Sequence, residues 1–195
     1  LVVFPDAAEL SHEVAERRRA ERRRGEVRAW FAERHGRVPG VHVKLYPYQV
    51  EGAAFLASAG RALLADDMGL GKTVQAIVAA RALFERGEIQ RTLIVCPASL
   101  KHQWAAELAR FAGLDAVVVQ GGRVERRQAY ERRAPFTIVN YELLLHGLEL
   151  VALLEPDLLI VDEAQRIKNW RTITAARLKS VATRFAFVLT GTPLE

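Results

Sequence analysis

A glycine-rich segment at residues 66–73 has the composition of a phosphate-binding loop. It follows an apolar run at 61–65 and precedes a helical pattern at 73–80. Segments between a strand and a helix bind phosphate because their backbone amides and the positive end of the helix dipole face the anion. The segment therefore predicts a nucleotide site at the end of a strand.

The individual residues of this loop suit a nucleotide that carries magnesium. Gly69 and Gly71 allow the backbone to curl without obstruction by side chains. We predict that Lys72 reaches the β- and γ-phosphates and that the Thr73 hydroxyl ligates the metal ion. Asp66 stands where the general pattern has glycine, and a simple strand–helix turn is the alternative interpretation. The predicted cofactor-binding residues of the loop are Asp67, Met68, Gly69, Leu70, Gly71, Lys72 and Thr73.

Two adjacent carboxylates, Asp162 and Glu163, follow the apolar run at 158–161. Magnesium on a nucleotide prefers such oxygen ligands, so we predict that Asp162 holds the metal ion. Glu163 would then lie beside the terminal phosphate, where a carboxylate orients and polarises the attacking water. Acidic pairs also cap helices, so this interpretation requires Lys72 and Thr73 to lie in the same sheet. The predicted catalytic residues are Lys72, Asp162 and Glu163.

Both segments need strands that deliver them to one edge of a sheet. After residue 40, short apolar runs bounded by turn residues alternate with helical patterns. This alternation predicts an α/β fold with a mostly parallel sheet covered by helices on both faces. The predicted strands are 61–65, 92–96, 116–119, 136–139, 158–161 and 185–189. Ligands of such folds bind at the carboxyl ends of the strands, where both segments lie.

Residues 1–40 differ in composition from the rest of the chain. They contain nine Arg against seven Asp plus Glu, interleaved along a helical stretch. The pattern predicts a long, solvated helix, with a salt-bridged surface favoured over a DNA-binding arm. Trp30 and Phe31 predict an apolar anchor at the end of this helix, and Val38-Pro39-Gly40 breaks it. We therefore predict a charged helical extension at 1–40 and a lobe at 41–195.

The composition restricts the class of protein. The net charge is +5, which permits contact with a polyanion without proving it. Cys96 is the only cysteine, which excludes an internal disulfide and favours a small core residue over a nucleophile. The five His residues show no metal-ligand spacing. No apolar run is long enough to span a membrane, so we expect an intracellular, cytoplasmic protein, associated with the nucleoid if it is bacterial.

Six motifs in a fixed order carry a family resemblance. They lie at 45–49, 66–73, 96–104, 140–142, 162–169 and 189–194. From about residue 42 to its end, the chain resembles the first, N-terminal RecA-like lobe of Swi/Snf-type ATPases of helicase superfamily two. Aspartate at the head of the phosphate loop is usual in this family, whereas Asp67 and Gln165 stand where Glu and His are commoner. The exchange at Gln165 leaves open how the terminal phosphate is coupled to motion.

The resemblance implies further roles around the nucleotide. Gln49 would recognise the adenine edge, because its amide offers both a donor and an acceptor, and a surface Gln on a helix is the alternative. Residues in two other motifs would link the nucleotide site to the DNA surface, and a polar turn is the alternative for those of the last motif. These coupling residues are Gln165, Thr190, Gly191 and Thr192.

The resemblance also implies two contacts with the backbone of DNA. Family members use the region after the second strand to hold one strand by its phosphates, which positions a duplex without recognising its sequence. The predicted contact residues are Pro97, Ser99 and Lys101 in this region and Asn140 and Tyr141 after another strand. Trp104 is expected instead to pack the following helix into the core.

The resemblance implies a motor that uses ATP and Mg²⁺ to translocate on double-stranded DNA and to displace or remodel DNA-bound proteins. A second RecA-like lobe would complete the ATP site with arginines that stabilise the transferring phosphoryl group. The chain contains no sequence for that lobe, so we expect one lobe of a larger protein, which binds ATP but hydrolyses it poorly when isolated. One alternative is a nucleotide-switched DNA-binding or docking module without turnover. Another is an RNA-unwinding helicase of the same superfamily, disfavoured because such helicases typically carry Ser-Ala-Thr at the motif around 190.

Overall fold

A computed structural model describes residues 7–67, 69–166 and 173–191. Within these ranges, six strands form one sheet, and all of its pairings are parallel. The strands are β1 (Arg61–Leu64), β2 (Thr92–Cys96), β3 (Val117–Val118), β4 (Phe136–Asn140), β5 (Leu158–Val161) and β6 (Phe185–Leu189). Their order in the sheet is β1-β6-β5-β2-β4-β3. All six predicted strands are confirmed, with ends that differ by at most one residue.

Helices cover both faces of this sheet, as predicted. One face packs against α1 (Ala7–Glu33), α2 (Pro47–Ala59), α3 (Lys72–Glu85) and α4 (Lys101–Ala112). The other packs against α5 (Arg123–Glu131), α6 (Tyr141–Leu145), α7 (Leu148–Leu154) and α8 (Ile173–Ser180). Because both faces are covered, β2, β4 and β5 are buried over their whole lengths.

The side chains of β2 show how one strand supplies two cores. Ile94 and Cys96 point into the core beneath α1 to α4, and Leu93 and Val95 point into the core beneath α5 to α8. This alternation follows from the two-residue period of a strand. It explains why the sequence of a central strand is continuously apolar rather than alternating.

The charged helix α1 is anchored to the lobe at its carboxyl-terminal half. Val27 and Phe31 are buried in the core beneath α2 and α3, and Trp30 packs against it, which confirms the predicted apolar anchor. Arg23 makes the polar part of the anchor. Its Nε donates to Oε2 of Glu88 at 2.5 Å, and its terminal nitrogens donate to two backbone carbonyls of the last turn of α2 at 2.8 and 3.0 Å. The last carbonyls of a helix have no partner within it, so Arg23 caps α2 while it fixes α1.

We expect Arg23→Ala to lower the free energy of unfolding by about 1–3 kcal/mol. The substitution removes partly buried hydrogen bonds to Glu88 and to the last carbonyls of α2, and these acceptors are left without that donor. The matched control is Arg24→Ala, an exposed neighbour in α1, which should change stability by less than about 0.5 kcal/mol. Urea unfolding of the three proteins measures the difference. Equal losses of unfolding free energy in both variants would show that Arg23 does not contribute to the anchor.

The same anchor has a predictable pH dependence. Burial raises the pKa of Glu88, but hydrogen bonds from Arg86 and Arg23 outweigh burial and hold that pKa below its ordinary value. The stabilisation is therefore present above the ordinary pKa of a glutamate and is lost as the pH falls through the lowered value. The difference between the wild type and Arg23→Ala should shrink in acid.

In the part of the chain that the structure describes, none of the helices combines the length and the apolar composition that a membrane crossing requires.

Candidate nucleotide-binding site

The glycine-rich loop leaves β1 at the carboxyl edge of the sheet and leads into α3, which begins at Lys72. Gly69 and Gly71 have φ values of 89° and 74°, which side chains with a Cβ rarely adopt. A Cβ on Gly71 would also lie 2.7 Å from Nε2 of Gln49, so the end of that side chain would have to shift, but it is the positive φ that requires glycine there. Met68, a predicted loop residue, lies outside the described residues.

Lys72 lies folded against its own loop. Its Nζ donates to the backbone oxygens of Asp66 and Asp67 at 2.8 and 2.9 Å. Phosphate oxygens are stronger acceptors for an ammonium group than carbonyls, because the bond is assisted by both charges. The lysine is therefore placed to exchange two loop carbonyls for the phosphates of a nucleotide.

Gln75 supports the loop from α3 and was not singled out from the sequence. It is 1% exposed, and its Nε2 donates to Oδ2 of Asp66 at 3.2 Å and to the oxygen of Leu70 at 3.3 Å. These bonds explain why an aspartate stands at the head of the loop, since glycine would leave the buried amide without this acceptor. A polar Gln within the apolar stretch of α3 is the sequence signal that could have found it.

Asp162 follows β5 and is 6% exposed. Its Oδ2 accepts a hydrogen bond from Nε1 of Trp104 at 2.8 Å, and its Oδ1 accepts one from the amide of Glu163, also at 2.8 Å. Burial raises the pKa of Asp162, and the bond from Trp104 opposes this rise by favouring the charged form. Trp104 packs in the core as expected, but it also fixes a predicted metal ligand.

Glu163 adopts a left-handed backbone conformation, with φ 54°. Non-glycine residues in this region cost about 1–3 kcal/mol and persist where surrounding bonds fix them, often at functional sites. Here the amide of Glu163 is bonded to Asp162, and its Oε2 accepts a hydrogen bond from Nε2 of Gln165. The strained backbone at Glu163 is thus held by hydrogen bonds at both its amide and its carboxylate.

The loop and the acidic pair border the same cleft, which has a volume of about 400 Å³. Its lining includes Gly69, Gly71, Lys72 and Thr73 of the loop, Asp162 and Glu163 after β5, and side chains of α4. One carboxylate, one hydroxyl and room for phosphates form the donor set that Mg²⁺ uses on nucleotides, because this ion retains much of its water. The residues present therefore fit a magnesium nucleotide.

Gln49, the predicted adenine contact, is 9% exposed at the start of α2. Its Oε1 accepts a hydrogen bond from the amide of Tyr46 at 3.1 Å, and its Nε2 donates to the oxygen of Leu70 at 3.4 Å. The side chain thus caps α2 and contacts the phosphate loop. Adenine recognition stays a prediction, and these two bonds together leave one donor and one acceptor position of the amide unused.

The predicted coupling residues meet at Gln165. Its Oε1 accepts hydrogen bonds from Oγ1 of Thr190 at 2.8 Å and from the amide of Gly191 at 3.4 Å, while its Nε2 donates to Glu163. One amide side chain therefore joins the acidic pair to the turn that follows β6. Thr192, the fourth predicted member, lies outside the described residues.

The first predicted DNA-contact segment, 97–101, is partly buried. Ser99 is exposed, but Pro97 and Lys101 are buried. Nζ of Lys101 donates to the backbone oxygen of Val119 at 2.9 Å, because the first turn of α4 lies beside the end of β3. The side chain of Lys101 is directed into the lobe here, and a phosphate contact would require this bond to open.

The second predicted DNA-contact segment, 140–141, also points inward. Nδ2 of Asn140 donates to Oε2 of Glu142, and the hydroxyl of Tyr141 donates to the backbone oxygen of Asp162. Both residues are nearly buried, at 7% and 8% exposure. Oδ1 of Asn140 has no partner among the described residues. The side chains of this segment thus position neighbouring elements in this conformation, and their contact with DNA stays a prediction.

Cys96 is part of the core, as the sequence predicted. Cys96 is buried, and burial raises the pKa of its thiol to about 12, so the thiol stays protonated near neutral pH. In the described ranges, no cluster of three or more His, Cys, Asp or Glu side chains is arranged to hold a metal ion.

These features define the class of RecA-like α/β lobes, in which a phosphate-binding loop follows the first strand of a parallel sheet. The model of one family, described as the SNF2-related domain, matches residues 48–195. The chain therefore belongs to the SNF2-related domain family, and the family and fold predicted from the motifs are confirmed.

Known proteins show the same relationship. The chain is 34% identical over 171 residues to the DNA excision repair protein ERCC-6-like of Danio rerio, covering 80% of this chain and 12% of that protein. It is 34% identical over 176 residues to the DNA repair and recombination protein RAD54B of Gallus gallus, covering 80% and 19%. A solved SWI2/SNF2 ATPase core of Sulfolobus solfataricus in complex with dsDNA matches with a TM-score of 0.73 and 30% identity, over 80% of this chain and 33% of that one. The chain thus spans less than a fifth of these curated relatives.

Proposed function

We propose that this chain is the ATP-binding lobe of a double-stranded-DNA-dependent ATPase that translocates on DNA and remodels or displaces DNA-bound proteins. The observation that carries the proposal is the convergence of the phosphate loop and the acidic pair on one cleft. Membership of the SNF2-related domain family and the likeness to a SWI2/SNF2 ATPase core in complex with dsDNA support the choice of DNA as the partner.

The side chains of the cleft suit hydrolysis as well as binding. Lys72 would hold the terminal phosphates, while the Thr73 hydroxyl and Asp162 would hold Mg²⁺. A bound magnesium ion would neutralise charge on the phosphates. Glu163, on its strained turn beside Asp162, would orient a water molecule and accept its proton. A pure switch needs the first three of these residues but not Glu163.

The link through Gln165 supports a role in motion. It joins Glu163 to the turn at Thr190 and Gly191, so a change at the terminal phosphate would reach the end of β6 through one side chain. In this proposal the turn transmits the nucleotide state towards DNA. A second RecA-like lobe would close the cleft and supply arginines to the transferring phosphoryl group.

The test compares this chain with the full-length protein that contains it. We expect the chain alone to bind MgATP weakly and to turn it over at least about 1000-fold more slowly than a full-length protein that joins it to a second lobe, with duplex DNA, since that lobe would supply an arginine. Turnover is measured with duplex DNA, with RNA and without nucleic acid. Near-equal rates for the isolated chain and the full-length protein would contradict the proposal.

The same assay separates the alternatives. A nucleotide-switched module without turnover predicts that the full-length protein binds MgATP but does not hydrolyse it, with or without DNA. An RNA-unwinding helicase predicts stronger stimulation by RNA than by duplex DNA. Glu163 and the family of the chain favour DNA-stimulated turnover over both.

A further inference from the structure

Asp162 is held from two sides by donors on different elements. Nε1 of Trp104, in α4, donates to its Oδ2 at 2.8 Å, and the hydroxyl of Tyr141, the first residue of α6, donates to its backbone oxygen at 2.5 Å. Trp104 is 1% exposed and Tyr141 is 8% exposed. Since water has little access to either donor, the two bonds fix the side chain and the backbone of Asp162 together.

The bonds to Asp162 leave its carboxylate able to bind a ligand. Oδ1 accepts from the amide of Glu163 and Oδ2 accepts from Trp104, whereas an ionised carboxylate offers about four acceptor sites. An indole offers one donor and no acceptor, so it can orient the carboxylate without competing for a cation. Trp104 is thus suited to hold a metal ligand in place.

Each donor belongs to or closely follows one of the segments predicted to contact DNA. Trp104 lies about one helical turn after Lys101, with which α4 begins. Tyr141 is itself part of the segment 140–141. Any displacement of either segment on DNA would therefore move a donor that contacts Asp162 directly, with no side chain between them.

We propose that Trp104 and Tyr141 are positioning residues that orient Asp162 and transmit contact with DNA at 97–101 and 140–141 to the nucleotide site. The inference rests on the proposed function, because it requires a chain that binds both a magnesium nucleotide and DNA. DNA stimulates turnover in this scheme by moving the two donors, and with them Asp162, into the arrangement that hydrolysis requires.

Two substitutions remove one donor each and retain an aromatic ring, Trp104→Phe and Tyr141→Phe. Tyr130→Phe is the matched control for the second, because Tyr130 is buried but its hydroxyl has no partner among the described residues. Trp30→Phe, on α1, is the control for the first. Effects of changed ring packing alone should occur in controls and test variants alike.

The first readout is ATP turnover of the full-length protein with and without duplex DNA, over a range of magnesium concentrations. We expect the ratio of stimulated to unstimulated kcat to fall about tenfold or more in both test variants, since small misplacements of a catalytic group cost up to about 100-fold. The magnesium concentration for half-maximal turnover should rise. A purely structural role would lower the folded fraction and scale both rates equally, which leaves the ratio unchanged.

The second readout does not depend on turnover. The indole N–H of Trp104 gives its own NMR resonance in this chain, assigned by its loss in Trp104→Phe, and we expect it to shift when MgADP is added. An unchanged stimulation ratio in both variants, or a resonance indifferent to bound MgADP, overturns the inference. If the wild type neither binds MgADP nor responds to DNA, the proposed function fails and the inference with it.

Discussion

Replacing Glu163 with glutamine is expected to lower the DNA-stimulated ATP turnover of the full-length protein by about 10²- to 10⁴-fold, the usual contribution of a positioned general base. Glutamine keeps the size of the side chain and an oxygen that can accept from Gln165, but it cannot take a proton from water. The phosphate loop and Asp162 are unchanged, so the affinity for MgATP should stay close to that of the wild type.

The measurement pairs steady-state turnover with calorimetric binding of MgATP. Glu131→Gln, an exposed carboxylate on α5, is the control for the loss of a negative charge and should match the wild type in both assays. Turnover of Glu163→Gln close to that of the wild type would remove Glu163 from the hydrolytic mechanism. Loss of MgATP binding in this variant would mean that Glu163 shapes the site rather than activating water.

The features that were predictable from the sequence are those encoded over short stretches of chain. Residues 66–73 contain the whole phosphate loop, and the two glycines report backbone conformations that few other residues adopt. The apolar strands were equally predictable, because a parallel sheet buried on both faces requires continuous apolar runs. The order of the strands was not, since it is set by which helices pack on which face.

The partners of Asp162 show where prediction from the sequence ends. Trp104 lies 58 residues away along the chain, and the two meet because β2 and β5 are neighbours in the sheet. From the sequence, a tryptophan at that position could be a core residue or a hydrogen-bond donor to a functional side chain. The two roles differ only in whether its single N–H has a functional partner. The bond of Lys101 was unpredictable for a related reason, because nothing local to this residue shows that the end of β3 offers a buried carbonyl.

The structure shows which hydrogen bonds Gln165 makes at the position where histidine is commoner. The side chain must donate to Glu163 and accept from Thr190 and Gly191 at the same time. The amide of glutamine offers two N–H donors and an oxygen with two lone pairs, so it can make all three bonds, and it does not titrate near neutral pH. Neutral histidine offers one donor and one acceptor nitrogen, so it could donate to Glu163 and accept from only one of the other two groups.

Lys72→Ala should produce the opposite pattern to Glu163→Gln, because it removes an interaction made with the bound nucleotide. We expect MgATP binding to weaken by about 1.5–3 kcal/mol, or about 10- to 150-fold, the usual range for a hydrogen bond to a charged group. Among the described residues, Nζ of Lys72 donates to the backbone oxygens of Asp66 and Asp67, which can turn to water when the side chain is removed, so stability should change little.

Calorimetric titration of this chain with MgADP and MgATP measures the effect, with Lys44→Ala, an exposed lysine, as the control. The loss should be larger for MgATP than for MgADP, since Lys72 is proposed to reach the γ-phosphate as well as the β-phosphate. Equal losses for both nucleotides would restrict the lysine to the β-phosphate. Affinities like those of the wild type would show that its two loop carbonyls are never exchanged for phosphate, and the cleft between the loop and Asp162 would then need another ligand.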